Sequence, residues 1–167
     1  MNEQVVDSIV SSLVLRAALG RFATGVTIVS CRAADGSPVG LTANSFNSLS
    51  LQPPLILWSL RSNSQTLDAF AAAPCFAVNV LAENQVDLSR RFASSVVDKF
   101  AEGAWSDGLN GVPVLAGCAA VFECEAMSFQ PAGDHVLFIG QVLRVSEAPV
   151  APLVFQSGHY RMLGEIL

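Results

Sequence analysis

The chain has 167 residues, 51% of them hydrophobic and only 14% charged, with a net charge of −5. That length suits one domain with a sizeable core. Nine Lys plus Arg with no basic cluster argue against a nucleic-acid partner. The longest apolar stretch, residues 69–82, is too short to span a membrane and is interrupted by Pro74 and Asn79. The opening residues lack a basic segment ahead of an apolar one, so neither a secretory signal nor a membrane partner is expected. Ordinary soluble domains carry roughly 25% charged residues. A chain this poor in charge is expected to cover apolar surface with a second copy, as a homodimer. Cys31, Cys75, Cys118 and Cys124 lie in apolar segments without a C-x-x-C pairing, which reads as buried thiols in a reducing, cytoplasmic compartment.

In chain order, Leu13, Ala17 and Leu19 to Phe22 have helical spacing that ends near Gly20 or Gly25. VTIVSCRA is a β-branched strand, ADGSP (residues 34–38) a hairpin turn, and VGLTANS the returning strand. After a Ser/Leu stretch and the Pro53-Pro54 break, LILWSL reads as a buried strand. Ser64 is expected to cap a short helix through QTLDAFAAA that Pro74 closes. CFAVNVLA is a strand, and ENQVDLSRRFA a helix with Leu88 and Phe92 on one face. The glycine-punctuated segment EGAWSDGLNGVP reads as a loop. In AAVFECEAMSF, Phe122, Cys124 and Ala126 alternate with Glu123 and Glu125, which predicts a strand with one wet face. QPAGDH turns into VLFIGQVLRV, apolar on both faces and therefore central. Six or seven strands with short helices between hairpins predict a mainly β protein, an antiparallel barrel with helical insertions.

No His/Cys/carboxylate spacing fits a metal site, and His135 and His159 stand far apart. There is no G-x-S-x-G elbow, no P-loop and no G-x-G-x-x-G. The apolar context of each cysteine favours inert packing over a Cys–His pair. Two polar stretches remain. SLRSNSQT, residues 59–66, sets four hydroxyls and Arg61 just before a helix, which suits an anion such as a phosphate. The Thr, Asn and Ser of TANS, residues 42–45, suit the edge of a flat heterocycle with alternating donors and acceptors. Taken as residues alone, the first stretch also fits an ordinary capped turn and the second a polar edge strand.

The segments ALGRFATGVTIVS, GLTANSFNSLSLQPPLILWSL, FAVNVLAENQVDLSRRFA, DKF, GVPVLAGCAAVFEC, GDHVLFIGQV and PLVFQSGHYR occur in this order along nearly the whole chain. Through them it resembles the short-chain flavin reductase family, the reductase components of two-component flavin-dependent monooxygenases. The resemblance implies an antiparallel split β-barrel over residues 13–167, in a homodimer, preceded by a variable N-terminal lead over residues 1–12. It implies FMN or FAD as the flavin and NADH or NADPH as the hydride donor. Reduced flavin would pass to a separate monooxygenase component.

By position, the resemblance places Thr42, Ala43, Asn44 and Ser45 at the flavin ring and ribityl chain. Ser59, Leu60, Arg61, Ser64 and Thr66 are placed around the first phosphate. Leu81, Gln85 and Phe92 complete the flavin pocket. His135 stands at the nicotinamide in a positioning role, with Tyr160 close by. Two other activities are compatible with a related barrel: a non-catalytic flavin-binding or sensor module, and a pyridoxine-phosphate-oxidase-like enzyme, which calls for a more basic phosphate site than Arg61 alone.

Overall fold

The apolar runs become the strands of one large antiparallel sheet. The computed structural model of the chain describes residues 10–167. Its elements in chain order are α1 (Ser12–Leu19), β1 (Thr24–Gly25), β2 (Thr27–Arg32), β3 (Pro38–Ala43), β4 (Asn47–Leu51), β5 (Pro54–Arg61), α2 (Leu67–Ala72) and β6 (Cys75–Val80). They continue with α3 (Val86–Ala93), β7 (Trp105–Asp107), β8 (Pro113–Leu115), β9 (Ala120–Ala132), β10 (His135–Glu147), β11 (Val154–Gln156) and β12 (His159–Arg161). The protein is mainly β with a few short helices. Of the N-terminal lead, residues 1–9 lie outside the described residues, while Ser11 caps α1 by accepting from the Val14 N–H.

Seven strands pair in the order β3-β2-β6-β9-β10-β5-β4. Flat, such a sheet would hold its two edges about 29 Å apart. Yet β3 and β4 are joined by residues 44–46 alone, a link that spans at most about 14 Å. The sheet must therefore curl until its edges approach, and the right-handed twist of strands allows it to. The ladder itself stays open, with no pairing between β3 and β4. β10 is central as its two apolar faces require, hydrogen-bonded to β9 on one side and to β5 on the other. It is reached through a two-residue turn with Gly133 at φ 62°, the first central position where a tight hairpin needs glycine.

The concave side is filled by Trp58, Phe70, Phe76 and Phe138. The Trp58 and Phe138 rings stack at 4.7 Å, and Phe70 meets Trp58 edge-on at 4.9 Å. Burying Trp58 alone contributes about 4–6 kcal/mol of hydrophobic stabilisation. A second cluster, with Leu81, Phe92, Leu115 and Leu153, packs α3 and the C-terminal hairpin against the sheet.

Three expectations are corrected. The glycine-rich loop contains a ribbon, β7 paired with β8. That ribbon covers Glu123, so the outer face of β9 is not wet there: Glu123 is 7% exposed and its carboxylate accepts from the Leu109 N–H, whereas Glu125 is exposed. Ser64 does not cap α2, whose N-cap is Thr66. The Ser64 hydroxyl instead pairs with the Thr66 hydroxyl at 2.9 Å.

Candidate functional site

β3, β5, the start of β10 and the C-terminal end of α3 meet around a cleft of about 750 Å³. Small-molecule sites usually occupy roughly 300–1,000 Å³. Thr42 and Ala43 come from the end of β3, and Asn44 and Ser45 from the link to β4. Ser59, Leu60 and Arg61 come from β5, and Ser64 and Thr66 from the turn that follows. Phe92 of α3 and His135 of β10 complete the group.

Local bonds hold these residues in place. The Ser45 hydroxyl donates to the Ser59 carbonyl and accepts from the Ser59 N–H, both at 2.9 Å, so one side chain ties the link to β5. The Thr42 hydroxyl donates to the Ser89 carbonyl at 2.7 Å and joins β3 to α3. Past β5, the Ser64 N–H donates to the Arg61 carbonyl at 3.0 Å and closes a turn. The antiparallel register sets Arg61 directly opposite His135. Under the cleft, Phe92 is 1% exposed and packs on Phe100 and Trp105, with ring centroids 5.0 and 5.3 Å away. A Cβ on Gly40 would stand 2.9 Å from the Phe92 ring, so β3 can lie this close only as glycine.

The charges are one-sided. No Asp or Glu is among the residues lining the cleft, although the chain carries a net charge of −5. Two cations line it, Arg61 and Lys99. The Lys99 ammonium donates to the Phe92 carbonyl at 2.9 Å, and burial lowers its pKa from the ordinary lysine value. His135 Nδ1 lies 2.7 Å from the Asp134 carboxylate. This hydrogen bond, and then the charge of His135, hold the Asp134 carboxyl below the usual carboxylate range. Because α2 has only six residues and no side-chain cap bond, attraction for an anion rests on the two cations and the hydroxyls.

Three of the residues named from sequence do not line this cleft. Leu81 is fully buried in the cluster behind Phe92. Gln85 accepts from the Ala82 N–H and donates to the Ala116 carbonyl, both at 2.9 Å, which fixes the entrance to α3. The Tyr160 hydroxyl pairs with the Ser89 hydroxyl at 2.8 Å and anchors the β11–β12 hairpin to α3. Conversely, Asn63, Gln65, Ser94, Ser95 and Lys99 line the cleft without having been singled out as site residues. Lys99 sits in the DKF segment, and Ser94-Ser95 directly follow α3. Among the described residues, no group of three or more His, Cys, Asp or Glu could hold a metal ion.

A curled antiparallel sheet with a cleft of this charge defines a small-ligand-binding protein suited to an anionic, partly aromatic molecule. The chain belongs to the flavin reductase like domain family, whose sequence pattern matches residues 19–164. It is 42% identical over 146 residues to the reductase component of the flavin-dependent trigonelline monooxygenase of Acinetobacter baylyi, covering 87% of this chain and 47% of that protein. It is 43% identical to the FMN reductase (NADH) SmoA of Agrobacterium fabrum, covering 87% of this chain and 82% of that one. Among solved structures, the NADH:FAD oxidoreductase SgcE6 of Streptomyces globisporus, in complex with NAD and FAD fragments, superimposes with a TM-score of 0.86. The two are 36% identical, over 91% of this chain and 92% of that one. The chain spans about half the length of some of the curated relatives it matches, 47% in the trigonelline case.

Proposed function

We propose that the chain is an NAD(P)H-dependent flavin reductase that binds FMN or FAD in the cleft and passes the reduced flavin to a separate monooxygenase component. The observation that carries this reading is the cleft without a carboxylate, with short hydroxyls and amides at one end and Arg61 and Lys99 at the other. The isoalloxazine and the nicotinamide supply the hydride chemistry between them. The protein's work is to bind, orient and exclude water. Thr42, Ala43, Asn44 and Ser45 offer short, fixed donors and acceptors to the edge of the ring. Ser59, Leu60, Arg61, Ser64 and Thr66 hold the phosphate end, and Phe92 forms an apolar floor. His135, steadied by Asp134, positions the nicotinamide. Leu81 and Gln85 act from behind by fixing α3. Tyr160 acts through Ser89, whose carbonyl also holds Thr42.

The same reading takes residues 13–167 as one split-barrel domain that works as a homodimer. The curled sheet supports the barrel. Exposed apolar side chains on α1 and on the outer parts of β9 and β10, among them Leu13, Phe129 and Val145, support the dimer. Among the described residues no helix is long and apolar enough to cross a membrane. Burial pushes the thiols of Cys31, Cys118 and Cys124 up to about 12, which fits cysteines kept reduced in a cytoplasmic setting.

Steady-state NADH and NADPH oxidation with riboflavin, FMN and FAD tests the proposal. Flavin-dependent turnover is expected. Tight flavin binding without turnover would identify a sensor module instead, and turnover of a pyridoxine phosphate would identify an oxidase. In His135→Ala, the KM for the nucleotide should rise or flavin reduction should slow, with flavin affinity unchanged. Wild-type stopped-flow reduction in that variant would remove His135 from the site.

A further inference from the structure

The cleft does not end at its phosphate side. Past Thr66 and Lys99 it continues into a second lobe of about 600 Å³, and both residues line the two spaces. This lobe runs between the outer edge of β3, at residues 38–40, and the segment after α3 that carries Val96, Asp98 and Phe100. His135 and Asn44, at the other end, do not reach it. A ligand ending in one phosphate at Arg61, Ser64 and Thr66 stops at the junction. One that carries a second phosphate and a nucleoside continues into the lobe.

The lining suits such an extension. Lys99 stands at the junction, where a diphosphate would pass. Asp98 supplies a carboxylate that can accept from ribose hydroxyls and repels a phosphate placed there. Phe100 and Val96 supply apolar wall for a base. β3 pairs only with β2, so its other backbone edge is free to meet the donors and acceptors of a heterocycle. The segment is fixed in place, because Arg91 donates to the backbone carbonyls of Asp98 and Lys99.

We propose that this second lobe binds an adenosine-diphosphate moiety, that of FAD, so that the chain prefers FAD to FMN. The proposal rests on the flavin-reductase reading. NADH carries the same moiety, but its nicotinamide is needed at the His135 end, whereas the lobe opens from the phosphate end.

Fluorescence titration of the unaltered chain with FMN and FAD, repeated on Val96→Trp, is the test. FAD should bind about tenfold or more tightly than FMN, and the tryptophan should cut FAD affinity about tenfold while leaving FMN within about twofold. ADP should compete with FAD and not with FMN. Equal affinities for the two flavins, or equal losses in the variant, would overturn the proposal and leave the flavin reading standing. Binding of neither flavin would overturn both. A raised KM for NADH with FMN as acceptor, at unchanged FAD affinity, would assign the lobe to the pyridine nucleotide and also overturn it. If Val96→Trp does not fold, Val97→Glu decides by the same comparison, since Val97 is fully exposed and lines only the second lobe.

Discussion

Arg61 ends β5 opposite His135, with its side chain exposed and no carboxylate among the neighbours that line the cleft. A guanidinium so placed has little to do for the fold and much to do for an anion. Arg61→Ala should weaken FMN by about tenfold, the lower end for a charge-assisted hydrogen bond because solvent screens an exposed pair. Riboflavin, which has no phosphate, should lose almost nothing, and equal losses in parallel titrations would place Arg61 away from the phosphate. Asn44 is exposed at the mouth of the cleft. Asn44→Leu should therefore lower flavin affinity with little change in the melting temperature of the apo-protein, and an unchanged affinity would count against its role. Thr42, Ser45, Ser64 and Arg61 were legible because short polar side chains crowded between apolar runs need a purpose. Lys99 was not, since only the fold brings it beside Thr66 across more than thirty residues of chain. Glu123 misled for a related reason: alternation marks it as outward-facing, but cannot show that β7 and β8 will lie over it.

The β7–β8 ribbon matters because it carries Trp105 to Phe100 and Phe92 beneath the cleft. Polar groups on the sheet hold it there. Asn79, fully buried on β6, accepts from the Leu115 N–H at 2.9 Å and donates to the Ile28 carbonyl at 3.0 Å and the Ser30 hydroxyl at 3.1 Å. Ser30 donates to the Pro113 carbonyl at 2.6 Å, and Arg32 to the Gly111 carbonyl at 2.7 Å. Asn79→Ala leaves the Leu115 N–H buried without a partner, at a cost of about 2–3 kcal/mol. Calorimetry should show a fall in Tm of roughly 5–10 °C. Flavin affinity should fall with it as the Trp105–Phe92 contact loosens, and full retention of both would show that the ribbon docks without Asn79. The longer strands, β2, β5, β6, β9 and β10, were legible from their runs of apolar residues. β7, β8, β11 and β12 have three residues each, too few for any period to declare itself.

At the scale of the whole molecule, the low charge fraction and the exposed apolar side chains pose one problem. No residue of α1 is buried, and Leu13 and Phe22 are 77% and 73% exposed. A second apolar region lies on the outer parts of β9 and β10, where Met127, Phe129, Leu143 and Val145 are all more than half exposed. Large apolar patches on a lone domain promote aggregation, whereas burial against a second copy removes them from water. Closed two-fold pairing is the commonest way to do so. A dimer of the 17.6 kDa chain is therefore expected in sedimentation at micromolar concentration. A predominant, well-behaved 17.6 kDa species would overturn that expectation. Replacing Met127 and Phe129 together by glutamate separates the two patches as candidates for the interface. If β9 and β10 form it, the variant should sediment as a monomer, because unpaired carboxylates buried across a two-fold axis face one another. If the variant stays dimeric, the pairing surface lies on the side of α1, next to the mouth of the cleft at Asn44.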